Sequence, residues 1–293
     1  MSVNERDPHT GHMLTGHEWN GIKELNTPVP KPVWIFLIAA FLFSVACWIL
    51  LPAWPLGSTY TKGLLGTDQR DVVTEQVHNA AMARSVWTGK IAAMDYTAIR
   101  RDQALMTMVR QDGHRLFGDN CAACHGINAM GSKGYPNLTD RDWLWGGDAE
   151  TVAQTIRAGI NSSDENTRVS QMPSFGRDGM LDGKAIFAVS QYVLSLSNPG
   201  AVKGTPAETL RTGAKVFADN CAACHGPKGL GDHAMGAPNL TDNIWLYGGD
   251  AQTIYTTIYD GRHGEMPAWS PRLSATDIKI LTLYVLDRGG PPQ

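Results

Sequence analysis

Cys121-Ala122-Ala123-Cys124-His125 recurs letter for letter as Cys221-Ala222-Ala223-Cys224-His225. Two thiols two residues apart, followed at once by an imidazole, form the attachment signature of a c-type haem. The thiols add across the porphyrin vinyl groups, and the gap sets both sulfurs along one haem edge. The adjacent histidine turns beneath the ring as the proximal iron ligand. Two motifs predict two covalently bound haem c groups, held by Cys121, Cys124, Cys221 and Cys224, with His125 and His225 on the irons. Competing chemistries explain less. Zinc ribbons space their cysteine pairs about 15–20 residues apart, and these pairs are separated by 100. Disulfides would not need the trailing His-Gly. The fifth cysteine, Cys47, sits in an apolar run and reads as a small packing residue.

The sixth iron ligand decides what such a haem can do. An open position binds gas or peroxide, whereas a second strong ligand leaves electron transfer. Met172 and Met266 each precede a proline and the last helix of their repeat. A thioether on an extended Met-Pro loop is the His/Met arrangement of electron-carrying cytochromes, and it raises the potential. One methionine among 11 would read as a core gap-filler; matched positions in both repeats point to ligation. Met130 and Met235 follow their haem motifs too closely, and His233 and His263 lack histidine counterparts in the first repeat. The sequence leaves open whether Met172 serves the second haem and Met266 the first. A di-haem peroxidase would need an open or bis-His haem, and the paired loops disfavour it. No residue is assigned as catalytic, and no histidine cluster could build a copper centre.

These residues must be positioned, and the repeat shows by what. Phe117–Asn120 matches Phe217–Asn220, Pro136–Asp140 matches Pro238–Asp242, and Gly146–Ala149 matches Gly248–Ala251. Helices are predicted over Gln103–Phe117 and Ala207–Phe217, each ending at a haem motif, and over about Asp182–Leu196 and Ser274–Leu286. Asp148 and Asp250 can N-cap the helices after the Gly-Gly pairs, and Ser274 with Asp277 fits a capping box. No strand alternation competes. Pro136 and Pro238 shape the loop around the haem. Trp143, Trp145, Trp245 and Tyr247 serve either as donors to haem propionates or as core packing. Domains this small hold little apolar side chain, so the macrocycle supplies part of the core.

The rest of the chain bounds the setting. Its 293 residues suggest about two domains. The net charge of −3 and 18% charged residues do not suggest a nucleic-acid binder. Val33–Leu51 carries no charge and is long enough to approach the roughly 30 Å hydrocarbon core. Trp34, Trp48 and Trp54 lie near its ends, where amphipathic rings favour the interface. A cleaved signal peptide fits poorly: about thirty polar residues precede the run, and no A-x-A site follows. The fold class expected is all-α, with one transmembrane helix and two tandem cytochrome c-like haem domains. The expected order is an entry segment over 1–32, the span over 33–54, a spacer helix region over 55–102, and haem domains over 103–199 and 205–293. Covalent haem attachment belongs to the periplasmic side of a bacterial inner membrane. The N-terminus is therefore expected in the cytoplasm and both haem domains in the periplasm.

The stretch Thr15–Pro30, with Trp19-Asn20-Gly21-Ile22-Lys23-Glu24 and Pro28-Val29-Pro30, resembles the entry segment of subunit III of cbb3-type cytochrome c oxidases. Asn20 stands where aspartate is common, and only Trp34 remains of a usual aromatic pair. The resemblance covers the whole chain. It implies a di-haem electron-entry subunit. Such a subunit would take electrons from a donor cytochrome c and pass them to a mono-haem subunit, and on to the oxygen-reducing, proton-pumping catalytic subunit. A free-standing membrane-anchored di-haem carrier would share the domains but not the entry segment.

Overall fold

The computed structural model describes residues 5–140 and 142–289. The chain forms two compact units, residues 1–83 and 84–293. The first contains the only paired strands among the described residues. Strands β1 (Leu14–Trp19) and β2 (Ile22–Leu25) pair antiparallel. Asn20 and Gly21 between them both have positive φ, 49° and 84°, as the two-residue Asn-Gly hairpin turn requires.

Helix α1 (Lys31–Leu50) begins beside prolines, which fix the φ of a first turn and need no donor there. It is long and apolar enough to cross a membrane: 20 residues, mean hydropathy 2.6, none buried. Its last carbonyls, which have no intrahelical partner, accept from the Leu64 and Leu65 N–H groups at 3.0 Å. Helix α2 (Gln69–Ala93) follows, capped where Asp68 accepts from the Arg70 N–H at 2.9 Å.

The second unit is helical. Asp95 caps α3 (Tyr96–Arg101) and Asp102 caps α4 (Gln103–Asn120). A single turn, α5 (Ala122–His125), carries the first haem motif. Asp148 caps α6 (Ala149–Ala158), and Asp182 caps α7 (Gly183–Ser197). After a 3-10 turn at Pro199–Val202 come α8 (Ala207–Asn220) and α9 (Ala222–His225), the second motif. Asp250 caps α10 (Ala251–Asp260), and the Ser274–Asp277 capping box opens α11 (Ala275–Arg288).

The repeats exchange their last helices. Buried residues of α4 and α6 pack with Ile278, Leu281, Tyr284 and Val285 of α11 in one core. The other core joins Phe217 of α8 and Ile254 and Ile258 of α10 to Ile186, Val189 and Val193 of α7. The crossings are equivalent. Gly113 of α4 lies against Tyr284, and Gly213 of α8 lies against the Ala188 carbonyl and Tyr192. Four residues on, Phe117 meets Tyr284 and Phe217 meets Tyr192, with ring centroids 5.6 and 5.4 Å apart. Each motif-bearing helix is thus buried by the closing helix of the other repeat.

Candidate haem centres

Each haem motif begins where its helix ends. The Cys121 N–H donates to the Phe117 carbonyl, and the Cys221 N–H to the Phe217 carbonyl, both at 2.8 Å. The chain then winds into one more turn, in which His125 N–H bonds Cys121 O at 3.0 Å and His225 N–H bonds Cys221 O at 2.9 Å. That turn fixes the histidine relative to its two sulfurs. Burial pushes the Cys121 and Cys221 thiols up to about 11. A thioether removes that titration altogether.

The ring orientation is set from outside the motif. His125 Nδ1–H donates to the Pro136 carbonyl and His225 Nδ1–H to the Pro238 carbonyl, each at 3.0 Å. This geometry selects the tautomer with a free Nε2 lone pair, the usual second-shell device for a metal-binding imidazole. Burial lowers the pKa of both rings, against a smaller upward pull from the proline carbonyls. Both imidazoles are therefore held neutral, the form that binds a metal.

The methionines arrive from across the exchange. Met266 packs against the core that also receives Cys121 and Ala122, and Met172 against the core containing Cys221. Both are pinned through the main chain. Met266 and Ile160 trade hydrogen bonds at 2.9 Å in each direction, and Met172 and Arg262 do so at 2.9 and 3.0 Å. Gly159 and Gly261, which end α6 and α10, make this approach possible. Their φ values are 72° and 70°. A Cβ on either would run into the carbonyl oxygen of Met266 or Met172.

Other sequence candidates fall elsewhere. Met130 and Met235 are exposed, and so are His233 and His263. Trp143 and Trp245 pack on the two cores. Trp145 and Tyr247 instead lie under arginines: Arg168 is 4.9 Å from the Trp145 ring centre and Arg262 is 4.2 Å from that of Tyr247. Motif reading passes over these arginines, although each stands four residues before its Met-Pro.

The donor set fits haem c: paired thiols on one turn, a neutral imidazole with Nε2 free, and a thioether pinned on an extended loop. Trp145 Nε1 and Arg262 Nε, both buried without a partner, fit a group that brings acceptors of its own. Two such centres in one helical unit define a tandem c-type cytochrome.

Comparison with known proteins narrows the class. Residues 11–58 match the family model for the N-terminal domain of cytochrome oxidase-cbb3, FixP, and residues 208–285 that for cytochrome c oxidase, cbb3-type, subunit III. Residues 111–197 match the cytochrome c model. The chain is 45% identical to the cbb3-type cytochrome c oxidase subunit FixP of Bradyrhizobium sp. (strain ORS 278), over 98% of both chains. It is 47% identical to the FixP of Azorhizobium caulinodans, over 96% of this chain and 94% of that one. Against the subunit CcoP of Cereibacter sphaeroides it is 44% identical over 94% of both. The chain belongs to the FixP/CcoP family of cbb3-type cytochrome c oxidase subunits. It is a cytochrome c electron-transfer subunit of a membrane-associated oxidase, and it has oxidase partner subunits.

Proposed function

We propose that this chain binds two haem c groups and is the electron-entry arm of its oxidase. Cys121 and Cys124 hold one haem and Cys221 and Cys224 the other. The axial pairs are crossed: His125 with Met266, and His225 with Met172. The observation that carries this reading is the packing of each methionine in the core of the opposite haem motif. Bound haem supplies one-electron redox chemistry at a potential raised by its thioether ligand. The chain's own part is to fill both axial positions, exclude water and small oxidants, and fix each imidazole through a proline carbonyl.

The chain takes electrons from a donor cytochrome c and delivers them to a mono-haem cytochrome c subunit. From there they reach the subunit that reduces oxygen and pumps protons. Family membership and the presence of two centres in one chain support this order. Helix α1 anchors the chain in a bacterial inner membrane, with the entry hairpin cytoplasmic and residues 55–293 periplasmic, where covalent haem attachment takes place. The spacer α2 and the haem regions over 103–199 and 205–293 then stand on the side that a donor cytochrome reaches.

The test is chemical. Denatured full-length chain should keep two haems per polypeptide on a gel and release none into acidified acetone. Reduced protein should bind little carbon monoxide. Extractable haem, or stoichiometric carbon monoxide binding at both centres, overturns the reading.

A further inference from the structure

Arg168 and Arg262 reach matching places by different routes. Arg262 follows directly after Gly261 at the end of α10. Arg168 follows Gly159 only after an excursion over 160–167, and its N–H then donates back to the Gly159 carbonyl at 3.1 Å. A loop that detours and still returns an arginine to the equivalent place indicates that the place has a use for it.

The two side chains are built in alike. Arg168 Nε donates to Thr155 Oγ1 at 2.9 Å and its Nη2 to the Thr151 carbonyl at 3.3 Å. Arg262 Nη2 donates to Thr257 Oγ1 at 2.6 Å. Each arginine is half-buried, with its guanidinium over the face of Trp145 or Tyr247. Among the described residues, the arginine ion pairs are those of Arg84, Arg110, Arg115, Arg177 and Arg211; Arg168 and Arg262 make none. Burying a cation even in part without an ion pair carries a cost, which the nearby Asp148 charge offsets only in part for Arg168. One buried donor in each stack also lacks an acceptor: Trp145 Nε1 in the first and Arg262 Nε in the second. A buried donor without a partner calls for an explanation. A planar cationic fork beside an indole N–H suits one kind of missing group, a carboxylate. Haem c carries two carboxylates, on its propionate chains.

Packing shows which motif's core each arginine adjoins. Thr151 and Thr155 lie on α6, whose Val152, Ala153 and Ile156 share the core that receives Cys121 and Met266. Thr257 lies on α10, whose Ile254 and Ile258 share the core of Cys221, against which Met172 packs. Arg168 therefore belongs with His125 and Met266, although Met172 is its neighbour in sequence.

Resting on the two-haem reading above, we propose that Arg168 and Arg262 bind the haem carboxylates of the His125 and His225 centres respectively. Each arginine and the methionine four residues beyond it then serve different haems. The segments Arg168–Met172 and Arg262–Met266 are short ties, each joining the carboxylate end of one haem to the axial ligand of the other.

The test uses full-length chain purified in detergent, with thioether haem content and both midpoint potentials measured on each sample. A cation beside a haem disfavours the ferric charge, so its loss lowers the potential. Arg168→Gln should shift one centre about tenfold toward the ferric form at fixed potential, ~59 mV for one electron. Met266→His should lower the potential of that same centre, and Met172→His that of the other. Arg262→Gln should follow Met172→His. Arg168→Lys keeps the charge but loses the fork and the stack, and should shift the same centre less; it replaces Arg168→Gln if the glutamine chain does not accumulate. Two attached haems with unmoved potentials overturn the carboxylate role. An Arg168 variant that moves the centre marked by Met172→His overturns the crossing. Wild-type chain lacking two thioether haems overturns the underlying two-haem reading instead.

Discussion

The two haem cores are near copies at the motif and differ in what stands behind it. The core around Phe117 is backed by Ile91 of α2, Ile99 of α3, and Leu105, Met106 and Val109 of α4. The core around Phe217 has no such added helices; the short Pro199–Val202 turn contributes Val202. Burial contributes roughly 25 cal/mol per Å² of apolar surface. The first core therefore buries more apolar side chain than the second. The difference shows that duplicating a site need not duplicate its support, and that a chain can add backing to one copy from an upstream helix.

The largest test of this comparison lies at the helix crossings. Both glycines face atoms that leave no room for a methyl, but the obstacles differ. A Cβ on Gly113 would stand 2.7 Å from Tyr284 Cβ, whereas one on Gly213 would overlap the Ala188 main-chain carbonyl. Overpacking costs about 1–3 kcal/mol and occasionally more, and a carbonyl held in a helix yields less than a side chain. Gly213→Ala should remove most haem-stained chain from membranes, and Gly113→Ala should remove less. Equal losses would show that the two cores tolerate strain alike.

A middle-sized effect concerns the backing that only the first core has. Arg84 of α2 bridges Asp112 of α4 and Asp277 of α11, at 2.5 and 2.6 Å. Burial raises the Asp277 carboxyl pKa, but hydrogen bonds from Arg84 and Ser274 outweigh it, and the net shift is downward. A lowered carboxyl pKa contributes stability above the unfolded value, near 3.9. That stability fades as pH falls through the lower folded value. Arg84→Met should cost about 1–3 kcal/mol near neutral pH, as expected when one partner of a half-buried pair is removed. It should also flatten the acid limb of unfolding below about pH 4. Thermal melts of the haem-loaded chain across pH 2.5–7 measure both. An unchanged acid limb would remove Arg84 from the backing of the first core.

The smallest effect on either core should come from the entry segment. Deleting Thr15–Pro28 removes the hairpin, with exposed Trp19 and Ile22 at its tip, and touches neither haem core. Haem content and both potentials should stay as in the wild type, while co-purification of the catalytic subunit from membranes falls several-fold. Undiminished co-purification would place docking on α1 and the haem regions alone.

Several features were legible because their causes are local. The pentapeptides carry their chemistry in adjacent residues. Capping by Asp148 and Asp250 and the Ser274–Asp277 box needs only a few residues of chain. The length and apolarity of α1 are properties of one segment. The hairpin was not read from the sequence: its strands are exposed and leave no burial alternation, and only the Asn20-Gly21 turn signals it.

By itself, then, the sequence pointed to haem c chemistry and determined the main helices, an apolar helix long enough to cross a membrane, and the family. The exchange was decided by tertiary structure. Helices α7 and α11 end two homologous repeats and carry similar apolar faces, each with a tyrosine placed to meet a phenylalanine. Local pattern cannot say which of two similar sites either helix fills, because both helices bring a tyrosine to the phenylalanine at the crossing. The packing of the whole unit breaks the tie: α7 turns back at Pro199–Val202 onto the helix that follows it, and α11 is left to close the first core. The arginines follow from the same choice. Only with the helices exchanged do Arg168 and Met172, four residues apart, adjoin different cores.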